Sequence, residues 1–224
     1  MSFVEKLNAV VADLRANADI FVAHYQVLPA DLAAIDKVEV ALGYKLADTI
    51  RDFYTQCGGV QLLWIHESND SFDHVKENFH SQTPLDNWYI KGEHISFFPE
   101  GCIWIPSIEA VFLTDWAANG LEFDADDFDQ SISHNFEGFK IQVFDWFSTF
   151  NDVAFLINGT ANPPLVLGDD NQATYNDSHL ISFDLYLDLL LKSKGDKEMR
   201  SDFLNIYNND AIDGYVTTQD IAQL

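Results

Sequence analysis

Apolar residues recur along this chain at two spacings. Leu32, Ile35, Val38 and Leu42 fall three and four apart and stop at Gly43, predicting a helix over 31–43 that Asp31 can cap. Ile50, Phe53, Tyr54 and Cys57 make the same stripe, so a second helix is expected over 48–57, capped by Asp48. Gly58-Gly59 is expected to end it in a left-handed turn. Phe3, Val4, Leu7, Val10, Val11 and Leu14 form another stripe, read as one amphipathic helix over 2–25, broken at Leu28-Pro29. Phe183, Tyr186, Leu187, Leu190 and Leu191 predict a later helix closed by Gly195. Met199, Phe203, Leu204 and Tyr207 predict one more, and Thr217 to Asp220 reads as a capping box.

Between these helices lie strand signals at 60–66, 94–98, 102–105, 139–145, 152–158 and 164–167. Ile141, Val143 and Asp145 alternate with Gln142, Phe144 and Trp146, a strand with one aromatic face. Asn162-Pro163-Pro164 and Gly168-Asp169-Asp170-Asn171 are turn chemistry, and 70–81 fits either a helix or a long loop. Helices at the ends and strands in the middle predict an α+β fold: a mostly antiparallel sheet covered by helices. The expected organisation is an N-terminal helical extension (1–27), a central domain (28–195) and a C-terminal helical extension (196–224) packed on the same domain.

Charge adds a constraint that periodicity does not. The 224 residues carry a net charge of −24, yet 47% are hydrophobic and 18 are Phe, enough for a substantial core. Residues 92–191 hold one basic side chain, Lys140, against 17 acidic ones. Such a surface repels nucleic acid and anionic membrane, so neither is expected as a partner; a cationic protein is its complement. No run approaches the ~20 apolar residues that span a bilayer, and the N-terminal stretch has no continuous apolar core of a signal peptide, so a cytoplasmic location is expected. Cys57 and Cys102 sit in apolar contexts and are read as buried, reduced thiols.

The run Glu39-x-x-Leu42-Gly43, then Leu46, Phe53 and Gly58-Gly59 resembles the signature of the SMI1/KNR4 family (the SUKH superfamily). Ala47 stands where that pattern has proline, and Cys57 where it has asparagine. A looser likeness continues through Ile103-Trp104-Ile105-Pro106, Phe139 to Trp146, Asp152 to Leu156, Pro163 to Leu167 and Ser182 to Leu191, covering roughly residues 28–194. The resemblance implies the same α+β architecture. It also implies a binding role: many bacterial members are immunity proteins that neutralise a cognate toxin, and fungal members are regulatory interaction proteins. It implies no shared catalytic residues.

Candidate chemistry concentrates in one segment. Glu122, Asp124, Asp126, Asp127 and Asp129 place five carboxylates in eight residues, interleaved with Phe123 and Phe128. Closely spaced carboxylates repel unless a cation shares the space, so this run reads as a contact patch for a basic toxin or as a solvated loop. Asp169 and Asp170 would form a second acidic lip or an ordinary hairpin turn. Trp116, like Trp88, lies in polar surroundings and is a candidate anchor. A calcium loop starting at Asp124 fails, because its positions 5, 6 and 12 are Phe128, Asp129 and Asn135. His66, His74, His80 and His94 lack metal-site spacing, and no nucleophile or phosphate-loop motif occurs. Glu39 is expected to hold structure by hydrogen bonding. The reading is therefore a non-enzymatic binding protein without cofactor or metal, whose partner is a cationic toxin domain, with a nuclease as one candidate. A regulatory interaction module and a metal-dependent enzyme built on the clustered carboxylates are the alternatives.

Overall fold

The computed structural model describes residues 1–78, 99–115, 139–148, 151–169, 178–205, 212 and 215–224. In chain order the elements are α1 (Phe3–Ala16), β1 (Ile20–Leu28), α2 (Leu32–Leu42), α3 (Asp48–Gln56), β2 (Gly59–His66), α4 (Phe72–Asn78), β3 (Gly101–Ile105) and α5 (Ile108–Leu113). There follow β4 (Lys140–Trp146), β5 (Asn151–Ile157), β6 (Leu165–Asp169), α6 (Phe183–Lys192), α7 (Lys197–Leu204) and α8 (Thr218–Gln223). The class is α+β, with two antiparallel three-stranded sheets, β1-β2-β3 and β4-β5-β6, packed with helices.

The sheets meet where β3 approaches β4. No ladder joins them there; a side chain does. The register of β4 against β5 slips between Val143 and Asp145, and this bulge takes Asp145 out of simple alternation. Its Oδ1 accepts the Trp104 N–H of β3 at 2.8 Å. Phe144 packs in the core, its ring centroid 5.2 Å from those of both Phe155 and Phe183 and 6.0 Å from Phe53. Phe3 joins Phe53 at 5.4 Å, so one aromatic cluster ties α1, α3 and α6 to the second sheet.

Several expected elements shift, each for a local reason. The helix expected over 2–25 ends at Ala16, and residues 20–28 form a strand antiparallel to β2. Residues 20–28, IFVAHYQVL, are rich in β-branched and aromatic side chains, a strand preference the helical stripe upstream obscured. Strand β1 therefore runs across the boundary expected at 27/28. Asp48 is not a cap: Ala47 holds that position without a side-chain bond, and Asp48 sits in the first turn, where a negative charge suits the helix dipole. Cys57 leaves α3 in an extended conformation, so no left-handed turn ends that helix. Leu32, expected on the buried stripe, is 61% exposed. Residues 72–78 settle the open segment as helix, and α5 lies where no helix was expected. The capping box at Thr217 and Asp220 forms. The strand expected at 94–98, and Trp88, His80, His94 and Tyr207, lie outside the described residues. No helix among the described residues is long and apolar enough to cross a membrane.

Candidate functional site: the signature turn and an acid-rimmed groove

Glu39, Gly43 and Leu46 meet at the α2–α3 turn. Gly43 ends α2 at φ 78°, a left-handed conformation that glycine adopts without strain. The turn that follows brings the Leu46 N–H to Glu39, whose Oε1 accepts it at 2.9 Å. The same oxygen pairs with the Arg51 guanidinium on α3. Arg51, through its hydrogen bond, and the Leu46 N–H hold the Glu39 carboxyl below the usual carboxylate range against the opposing effect of burial. Leu46 is thereby set into the core at 3% exposure. Ala47, where the resembled pattern has proline, uses the donor a proline lacks: its N–H bonds to the Ala161 carbonyl at 2.7 Å.

The two glycines after α3 serve close approach. A Cβ on Gly58 would lie 2.2 Å from the Pro29 carbonyl oxygen, and one on Gly59 would lie 2.4 Å from that of Ile105. Both contacts are with backbone, which cannot swing away. The glycine pair therefore lets β2 start between the end of β1 and the end of β3.

A second constellation is fully buried and was not foreseen from sequence. Arg200 of α7 donates through Nε to the Asp196 carbonyl at 3.1 Å. Its Nη1 donates to Asp145 Oδ2 at 2.6 Å and to the Tyr186 hydroxyl at 3.2 Å, and Nη2 to the carbonyls of Cys102 and Gly195. These are five acceptors for five N–H groups, so the buried guanidinium is satisfied. Its plane lies over the Phe147 ring, 4.1 Å from the centroid. The Tyr186 hydroxyl donates to Asp145 Oδ2 at 2.7 Å. Burial first, then the Asp145 charge, push the Tyr186 phenol well up, so it stays a protonated donor. Burial also pushes the Cys57 thiol up to about 11 and the Cys102 thiol to about 12. Both are free and buried, which suits packing rather than nucleophilic attack.

On the surface, α1, α3 and α6 enclose a groove of about 320 Å³. Phe3, Phe53 and Phe183 lie beneath it; Leu187 and Leu191, one turn apart on α6, give it an apolar wall that is half-buried. Exposed Asp52 stands on the α3 side, and exposed Asp184 and Asp188 stand on the α6 side. Among the described residues, Lys6 is the one cation lining this groove. Its ammonium is 3.8 Å from Asp188, with both side chains about half exposed, a pairing that neutralises the rim weakly. The Phe3 N–H donates to Gln56 Oε1 at 3.1 Å and fixes α1 against α3 at one end of the groove.

The acidic segment singled out from sequence (Glu122, Asp124, Asp126, Asp127, Asp129) and Trp116 lie outside the described residues, as does Asp170. Asp169 is the last residue of β6, its backbone opposite Asn151. The rim aspartates Asp52, Asp184 and Asp188 were missed, although the sequence holds a signal: Asp48 and Asp52, like Asp184 and Asp188, are four apart on helices whose apolar faces are fixed. Among the described residues, no three His, Cys, Asp or Glu side chains are grouped as metal ligands. No family model, no curated protein and no solved structure matches this chain.

Proposed function

We propose that this chain is a binding protein of the SMI1/KNR4 type that neutralises a cationic partner, a cognate toxin domain, by forming a complex without turnover. The observation that carries the reading is the α2–α3 turn. Glu39, Gly43 and Leu46, which carry part of the sequence resemblance, each meet a distinct physical requirement there, and Gly58 and Gly59 meet another at the start of β2. That coincidence supports a shared fold rather than a chance spacing, and it supports with it the binding role that the resemblance implies. The net charge of −24 supports the sign of the partner: an acidic inhibitor is steered onto a basic protein by complementary fields.

The test is co-expression of the chain with the product of the gene next to its own. A basic, growth-inhibiting product that co-purifies with the chain and loses its toxicity is the expected result. A harmless neighbour that still binds would move the assignment to a regulatory interaction module. A toxic neighbour that neither binds nor is neutralised would overturn the immunity reading.

A further inference from the structure

We infer that the groove between α1, α3 and α6 receives an amphipathic segment of that cationic partner, an inference that rests on the binding role proposed above. The geometry offers a divided surface. Leu187 and Leu191 of α6 present apolar area, Asp184 and Asp188 stand on the same helix, Asp52 stands on α3, and Lys6 of α1 weakly offsets Asp188. A helix with one apolar stripe and lysine or arginine on both flanks matches this layout. The stripe meets the two leucines, and the cations meet the two acidic banks.

Other occupants fit less well. A second copy of the chain would bring another −24 charges to a rim already negative. Nucleic acid is repelled for the same reason. A small apolar ligand would find little to cover, since Phe53 and Phe183 below the groove are 1% and 0% exposed, and the volume lies at the low end for such sites. What the groove offers is a shallow apolar seat with charge on its edges, and that selects for sign.

The probe is a synthetic amphipathic helix of leucine and lysine, with a leucine–glutamate helix as its counterpart. Each is titrated into the full chain while backbone amide shifts are followed. The lysine probe should perturb amides of α3 and α6 and lose affinity as salt rises. The triple variant Asp52→Asn, Asp184→Asn and Asp188→Asn should weaken it about tenfold, because exposed ion pairs contribute modestly one by one. A control with equal loss of charge elsewhere, Asp36→Asn, Glu67→Gln and Glu198→Gln, should bind nearly as the parent does. These six side chains are exposed, so the variants are expected to fold. Equal weakening by both triple variants, or shifts confined to another surface, would overturn the groove and leave the cationic partner standing. Equal binding of the glutamate helix would overturn it by removing selection for sign. No binding of the lysine helix even at low salt would overturn both the groove and the cationic reading.

Discussion

Among the described residues, two Arg–carboxylate pairs organise this molecule, and they differ in almost everything but their chemistry. Glu39 and Arg51 are 12 residues apart and join one helix to the next; their side chains are 9% and 29% exposed. Asp145 and Arg200 are 55 residues apart and join the seam between the sheets to α7, with both side chains wholly buried. The first pair shapes a turn and keeps contact with water. The second replaces a stretch of missing ladder between β3 and β4 and must satisfy every lone pair and N–H internally. A buried charge pair costs desolvation whether or not it is well made, so its value lies in the bonds it organises. The contrast predicts unequal consequences when each is cut.

The largest effect is expected at the seam. Arg200→Met leaves Asp145 buried and charged and should lower the free energy of urea unfolding by about 3–5 kcal/mol. Combining it with Asp145→Asn should recover part of that loss, because the amide carbonyl can still accept the Trp104 N–H once the stranded charge is gone. If the double variant is less stable than Arg200→Met alone by the full cost of a second lesion, the two residues are not acting as one unit and the comparison fails.

How much of this was legible beforehand follows the same division. The α2–α3 turn could be read because Glu39, Gly43 and Leu46 are neighbours, where spacing reports geometry directly, although Arg51, the charged partner of Glu39, was missed. The seam could not. Arg200 meets carbonyls at Cys102 and Gly195, and nothing local marks it; in a helix of mixed charge it reads as a solvated side chain. Asp145 reads as the polar beat of an alternating strand until the bulge turns it inward. Strand β1 was hidden by a similar limit. The apolar stripe of α1 is strong enough to be carried past Asn17, although the residues after it favour a strand. The groove was half visible: the paired aspartates on α3 and α6 were in the sequence, but their convergence depends on how those helices pack.

A smaller effect is expected at the turn. Glu39→Ala removes the acceptor of the Leu46 N–H and the partner of Arg51 together, and should cost about 1–3 kcal/mol in the same unfolding measurement. Water can reach Arg51 and partly replace what is lost, which it cannot do at Arg200. A loss as large as that of Arg200→Met would mean that exposure does not separate the two pairs.

The smallest effect isolates the charge from the hydrogen bond. Glu39→Gln keeps an oxygen that can accept the Leu46 N–H but removes the negative charge facing Arg51. In the folded chain the Glu39 carboxyl is held below its ordinary range, first by the Arg51 hydrogen bond and then by the Leu46 N–H, with burial opposing both. A group whose folded pKa is depressed stabilises the fold above its unfolded pKa, about 4.3 for glutamate, and loses that contribution as pH falls through the folded value. The stability gap between the parent chain and Glu39→Gln should therefore be constant near neutral pH and close as pH falls below about 4.3. Urea unfolding of both proteins from pH 7 down to about pH 3 measures it. A gap that does not narrow at all across that range would show that the carboxylate charge contributes nothing to it.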